Sequence, residues 1–168
     1  MLKFCKDAWG ANKDKLENAI RHDTKMNCCE YSYLVELIIK HILNPAIPYP
    51  DNKFDYNNIT TIDNGDYCGT LLFVFPRKTY QPTASEYLMA YADYGSCGGC
   101  DTLLGIQEGW NIGKTPNETQ IKDFMSLCKD IVCSIVKPYN YGWRRDISFE
   151  EVENDNNSYI VSIGIRQR

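Results

Sequence analysis

Met26, Cys29, Tyr33, Leu34, Leu37, Ile38, His41 and Ile42 recur at three- and four-residue spacing, which predicts an amphipathic helix ended by Asn44-Pro45. A shorter polar helix is expected over 12–21. Residues 44–58, with Pro45, Pro48, Pro50 and the pair Asn57-Asn58, follow neither the helical nor the strand period and read as an ordered surface loop. The pattern then changes. Ile59-Thr60-Thr61-Ile62 predicts a short strand, Asp63-Asn64-Gly65-Asp66 a turn, and 70–76 a strand of the buried kind. Residues 86–95 alternate Tyr87, Met89, Tyr91 and Asp93 against Leu88, Ala90, Ala92 and Tyr94, so 70–76 and 86–95 are expected to pair antiparallel. Residues 95–101 form a Gly-rich junction into a short helix over 102–106.

Thr115-Pro116-Asn117-Glu118 carries a Thr cap, a Pro at the first helical position and a Glu three residues after the cap. Beyond it Ile121, Phe124, Met125, Cys128, Ile131, Val132 and Ile135 form one apolar face, which predicts a core helix over 115–137 stopped by Pro138. Two strands, 146–152 and 158–166, are expected around the turn 153–157, with Tyr159, Val161, Ile163 and Ile165 on one face. Helices, strands, helices and strands in that order imply an α+β fold in a single domain, with an antiparallel sheet of about four to five strands covered by helices on one face. Its parts are a helical portion (1–44), a motif-bearing hairpin with a short helix (59–110), the core helix (115–137) and a C-terminal hairpin (146–166).

At 168 residues the chain has room for one core. Charge changes the picture through its distribution. Residues 51–101 hold Lys53, Arg77 and Lys78 against seven acids, which accounts for the whole net charge of −4. A chain with a pI near 5.2 and scattered cations lacks the clustered footprint that displaces counterions from nucleic acid, so direct nucleic-acid binding is disfavoured. Trp143-Arg144-Arg145 with Arg166 and Arg168 is a small exception, read as solubilising edge charge. The longest apolar runs, such as Leu71 to Phe75, are far shorter than a membrane span, and the first residues break into charge before any signal-type apolar region. Eight cysteines are therefore expected as thiols, metal ligands or packing residues in a reducing cytosol.

Cys97-Gly98-Gly99-Cys100 is the most pointed motif. Two thiols three apart in a glycine turn can hold one tetrahedral metal, with structural zinc as the candidate cofactor, or can act as a redox pair. The antiparallel pairing places Cys68, at the start of one strand, at the same end as Cys97, at the close of the other, so Cys97, Cys100 and Cys68 are the candidate metal set. Cys5, Cys28, Cys29, Cys128, Cys133 or a histidine would supply a fourth ligand, and spacing does not choose among them. Cys29 and Cys128 read as core. A thioredoxin-type dithiol needs a βαβ setting, which the element order does not provide. Phosphate cradling is disfavoured further, because Cys100-Asp101-Thr102 puts a carboxylate where the phosphate would sit and Walker-type loops need Gly-Lys-Ser/Thr at the helix start. His22, His41, the Glu150-Glu151 pair and Asp63 with Asp66 read as ordinary surface, core-edge or turn residues. Six of twelve tyrosines fall within the acidic stretch, with Tyr49 just before it, and Asp63, Asp66, Tyr67, Asp93, Tyr94 and Asp101 are the candidate face for a cationic protein partner.

Gly65-Asp66-Tyr67-Cys68-Gly69-Thr70-Leu71-Leu72-Phe73, Tyr80-Gln81-Pro82 and Tyr94-Gly95-Ser96-Cys97-Gly98-Gly99-Cys100-Asp101-Thr102-Leu103 resemble a family of uncharacterised small proteins of bacteriophages and prophages. The resemblance covers about residues 59–106. Both cysteines of the C-x-x-C match, while the family pattern carries Gln at the position of Cys68. It implies no activity. By analogy with small acidic phage proteins, anti-CRISPR proteins among them, it implies a non-enzymatic inhibitor in the host bacterial cytoplasm. Such a protein would bind a nucleic-acid-handling protein, with a Cas nuclease as the specific expectation. The alternative is a thiol-dependent redox enzyme using Cys97 and Cys100.

Overall fold

A computed structural model describes residues 2–107, 113–140 and 147–149. Helix α1 (Lys3–Arg21) is twice as long as its apolar spacing announces, because two of its buried positions, Ala8 and Asn12, carry little or no hydrophobic signal. Cys5, Ala8, Asn12, Leu16 and Ile20 form one buried stripe at three- and four-residue intervals. Asn12 is tolerated there because its amide donates to the carbonyls of Ala8 (3.1 Å) and Ile42 (3.3 Å), so no polar group is stranded.

The second amphipathic stretch is interrupted twice. A short 3₁₀ turn (Met26–Cys28) precedes α2 (Tyr31–Ile38), which runs on into a π-helical turn (Ile39–Leu43) and a 3₁₀ turn at Asn44–Ala46. Ile38, Ile39, Ile42 and Leu43, spaced i, i+1, i+4 and i+5, share one face and are all fully buried through this stretch. Asn44 then holds the proline-rich loop: its amide donates to the Phe54 carbonyl (3.0 Å) and its carbonyl accepts from the Phe54 N–H (2.8 Å). Phe54 packs edge to face on Phe75, ring centres 5.6 Å apart, which fixes the loop against the sheet.

Three strands form the main sheet in the order β1 (Thr60–Asp63), β2 (Gly69–Pro76) and β3 (Tyr87–Tyr94), all antiparallel. Register sets Phe73 opposite Ala90 and Phe75 opposite Leu88 on the covered face, all four buried. The other face carries Ile62 and Tyr91, both partly exposed. The fold is α+β, as expected, with a smaller sheet than expected. Residues 147–149 pair as β5 (Ile147–Phe149) with β4 (Pro138–Asn140) in a separate two-stranded ladder, and the strand expected over 158–166 lies outside the described residues.

Helix α3 (Thr102–Gln107) is short, and α4 (Glu118–Cys133) supplies the core face with Ile121, Phe124, Leu127, Cys128, Ile131 and Val132. Its cap is Asn117 in place of the expected Thr115. The Asn117 side chain accepts from the N–H groups of Thr119 and Gln120 at 3.0 Å each, and Gln120 reaches back to the Asn117 N–H at 3.1 Å. Glu118 is thereby free to pair with Arg21, which also holds Glu17 at 2.9 Å, joining the ends of α1 and α4. Helix α4 ends at Cys133, before Pro138, because the sheet takes over the chain. The Ser134 hydroxyl accepts from the Tyr91 N–H (3.0 Å) and lies 3.0 Å from the Tyr91 carbonyl, and Val136 bridges to Met89. No helix among the described residues is long and apolar enough to cross a membrane.

Candidate functional site

The β2–β3 register sets Gly69 opposite Tyr94 and Thr70 opposite Asp93, and sets β1 so that Asp63 faces Leu71. Cys68, the acidic turn and the C-x-x-C junction thus meet at one end of the sheet, as the sequence predicts. Beyond β3 the chain makes a tight turn in which the N–H groups of Cys100 (2.9 Å) and Asp101 (2.8 Å) both donate to the Cys97 carbonyl. The turn depends on two glycines where backbones meet. A Cβ on Gly95 would lie 2.5 Å from Cys100 Sγ and 2.6 Å from the Cys100 carbonyl oxygen; one on Gly105 would lie 2.6 Å from the Gly98 carbonyl oxygen.

Within this turn Cys97 Sγ and Cys100 Sγ are 2.9 Å apart and both residues are exposed. Two thiolates on one tetrahedral zinc, each about 2.3 Å from the metal, stand about 3.7 Å apart; a disulfide needs about 2.05 Å. The pair is closer than a zinc edge and open relative to a disulfide. Among the described residues no group of three His, Cys, Asp or Glu side chains is arranged to hold a metal ion. Cys68 therefore shares the end of the sheet with Cys97 and Cys100 without completing a ligand set, and Cys5, Cys28, Cys29, Cys128 and Cys133 supply none. The donors present fit a dithiol better than the three-thiol zinc knuckle.

Electrostatics separate the cysteines. Cys100 Sγ accepts from the Cys97 N–H at 3.2 Å and contacts the Cys97 thiol, hydrogen bonds that favour its thiolate and lower its pKa, the Cys97 side chain contributing most. Burial does the opposite elsewhere: it raises the Cys5 thiol to about 11 and Cys29 to about 12, and it raises the wholly buried Cys128 as well. Cys29 and Cys128 pack in or against the core, as the sequence predicts, and Cys5 joins them.

Asp101 is not part of an exposed acidic face. It is 5% exposed and directed inward. One carboxylate oxygen accepts from the Tyr31 hydroxyl (3.0 Å) and the Leu104 N–H (3.0 Å), the other from the Gly95 N–H (3.2 Å), while the Tyr31 hydroxyl in turn accepts from the Leu103 N–H (3.3 Å). Burial raises the Tyr31 pKa, so its phenol stays a neutral donor. Asp101 fastens the cysteine turn to α2 and caps α3. An Asp immediately before a helix is the sequence signal for that role; nothing local announces Tyr31 as its partner.

Of the other candidates Asp63, Asp66, Tyr67 and Asp93 are exposed, whereas Tyr94 is half-buried against the core. Asp63 accepts from the Gly65 N–H (3.0 Å) and from the Tyr94 hydroxyl (2.8 Å), a bond that raises the Tyr94 pKa to about 12. Asp93 accepts from the Thr70 hydroxyl at 2.6 Å. Asp66 is exposed and Tyr67 is 82% exposed. Both ion pairs among the described residues belong to Arg21, far from this end in sequence, and neither involves Asp63, Asp66 or Asp93.

A concavity of about 600 Å³ opens between the start of α1 and the loop after Asn44, lined by Phe4, Ile47, Phe54, Leu88 and Arg77 among others. Arg77 lies over the Phe54 ring, 5.0 Å from its centre, and donates to the Asn52 carbonyl. No protein-family model, curated protein or solved structure matches the chain.

Proposed function

We propose that the turn Cys97-Gly98-Gly99-Cys100 is a reversible thiol–disulfide centre at the end of the sheet. The observation that carries this reading is the 2.9 Å separation of two exposed sulfurs in a turn whose backbone hydrogen bonds already hold them together. Closing them to a disulfide takes a further approach of about 0.9 Å, within reach of a turn with two glycines between its cysteines. In a reducing bacterial cytoplasm the dithiol is the resting form, and a transient disulfide carries the function. The test is to treat the reduced protein with a stoichiometric amount of diamide, which takes two electrons and two protons from a thiol pair, and map the product by mass spectrometry. The expected result is the loss of two thiols confined to the peptide holding Cys97 and Cys100; oxidation that spreads over Cys28, Cys68 and Cys133, or none, refutes the reading. Zinc supplied to the reduced protein tests the metal alternative: stoichiometric retention lost in Cys97→Ser would establish it instead.

A second reading is favoured by the exposed Asp66 and Tyr67 beside Asp63 and Asp93, free of ion pairs among the described residues. In it the same end docks on a basic channel of a bacterial nucleic-acid-handling protein, a Cas nuclease in its sharpest form, and inhibits it by excluding nucleic acid. Salt-sensitive displacement of labelled nucleic acid from such a nuclease, weakened by Asp63→Asn with Asp66→Asn, supports it. Displacement unchanged by salt or by the double variant counts against it.

A further inference from the structure

Given the thiol–disulfide reading above, on which this rests, we propose that Cys100 is the attacking sulfur of the pair and Cys97 the resolving one, with a low-molecular-weight disulfide of the glutathione class as oxidant. The two sulfurs are not equivalent. Donors converge on Cys100 Sγ: the Cys97 N–H at 3.2 Å and the Cys97 thiol at 2.9 Å. When protonated, Cys100 can place its own hydrogen on the Cys97 carbonyl at 3.3 Å, so either state of this sulfur has a partner. Cys97 Sγ has the Cys100 sulfur as its neighbour and no backbone donor among the described residues. The missing side chain of Gly95 leaves the space into which Cys100 Sγ fits. Thiolate character follows these donors, in agreement with the lowered pKa of Cys100.

The chemistry balances without another co-reactant. Cys100 gives its proton to solvent, and its thiolate attacks one sulfur of R–S–S–R, forming Cys100–S–S–R and releasing RS⁻, which takes up a proton. Cys97 then loses its proton and attacks Cys100 Sγ, breaking the mixed disulfide and releasing the second RS⁻. Two electrons pass from the cysteine pair to the oxidant, two protein thiols become one disulfide, and two RSH leave.

Limited alkylation of the reduced full chain with iodoacetamide near neutral pH, read by peptide mapping, tests the order without any variant. Cys100 is expected to react severalfold faster than Cys97 and than the exposed Cys28, Cys68 and Cys133, since the donors that converge on its sulfur favour the thiolate. With oxidised glutathione, Cys97→Ser is expected to accumulate a mixed disulfide on Cys100, because the serine keeps both the backbone N–H and a hydroxyl donor. Cys100→Ser should acquire glutathione at least about tenfold more slowly. Alkylation of Cys97 first, or equal glutathionylation of the two variants, overturns the assignment while leaving the centre intact. If neither Cys97 nor Cys100 outpaces Cys28, Cys68 and Cys133, the thiol–disulfide reading itself fails.

Discussion

Replacing Asp101 by Ala removes one acceptor group from three donors at once: the buried Tyr31 hydroxyl and Gly95 N–H, and the part-buried Leu104 N–H. A hydrogen bond to a charged group contributes about 1.5–3 kcal/mol, and a buried donor left without a partner costs about 1–3 kcal/mol. The truncated side chain leaves space that one water can enter, and it restores part of that loss. The expected destabilisation of Asp101→Ala is about 3–4 kcal/mol, equivalent to a Tm lower by roughly 8–12 °C for a chain of this size. Asp101→Asn keeps one oxygen for Tyr31 and Leu104 but turns an amide N–H₂ toward the Gly95 N–H, and should cost about 1–2 kcal/mol. Tyr31→Phe, which removes the hydroxyl from the same network, should cost about 1 kcal/mol and couple to Asp101→Ala by at least about 0.5 kcal/mol, because both act through one bond. Urea unfolding of the four proteins, followed by circular dichroism, supplies every term of that cycle. A loss below about 1 kcal/mol for Asp101→Ala, or strict additivity with Tyr31→Phe, refutes the reasoning that Asp101 anchors the cysteine turn.

Gly95→Ala forces a Cβ to within 2.5 Å of Cys100 Sγ and 2.6 Å of the Cys100 carbonyl oxygen, so it should cost about 2–3 kcal/mol and slow modification of Cys100 specifically; unchanged stability by thermal melting would show that the turn yields to the methyl group. Ser134→Ala removes the hydroxyl that satisfies the Tyr91 backbone at the edge of β3, and should lower stability by about 1–2 kcal/mol in urea, with hydrogen exchange accelerated at the Tyr91 amide rather than in β1. Burial, reinforced by neighbouring Lys40, lowers the pKa of His41, so the unfolded chain binds a proton before the folded one does. Stability from this residue is complete above about pH 6.5 and falls as pH drops through the folded value. His41→Gln should therefore flatten the stability loss on acidification, and an unchanged pH profile by urea titration would rule that contribution out.

Helix α4 was legible because its buried positions are almost all branched or aromatic, and the antiparallel pairing of β2 with β3 because alternation on both sides of a turn announced it, the register itself coming from the fold. The elements that were not legible share a cause: a polar atom or a backbone group does the work that the pattern assigns to side-chain hydrophobicity. Asn12 occupies a core position in α1 because two carbonyls lie within its reach, so the apolar stripe looks interrupted. The end of α4 is set by Ser134 and Val136 docking on β3, a contact more than 40 residues distant in sequence, and not by Pro138. The two extra caps, Asn117 and Asp101, both lie where a helix begins, yet only tertiary contacts decide which of several capping residues is used.

The same distinction governs the site. Charge counting places Asp101 with Asp63, Asp66 and Asp93, because all four are acids in one acidic stretch. Burial divides them: three face solvent, and Asp101 turns inward to bind the elements that carry the cysteines. Composition treats Cys68 as equal to Cys97 and Cys100, and strand register brings it to the same end, but register fixes neighbourhood to within several ångströms, whereas ligation and disulfide chemistry are decided by tenths. What selects Cys97 and Cys100 is local geometry that their own spacing encodes: a turn closed on the Cys97 carbonyl, two glycines between the sulfurs, and Gly95 leaving room for the second. A motif whose partners are three residues apart can be read from sequence; one whose partners lie on different elements requires the fold. The asymmetry between Cys97 and Cys100 belongs to the first kind, which is why alkylation order at these two sulfurs tests the site more directly than any property of the acidic surface around it.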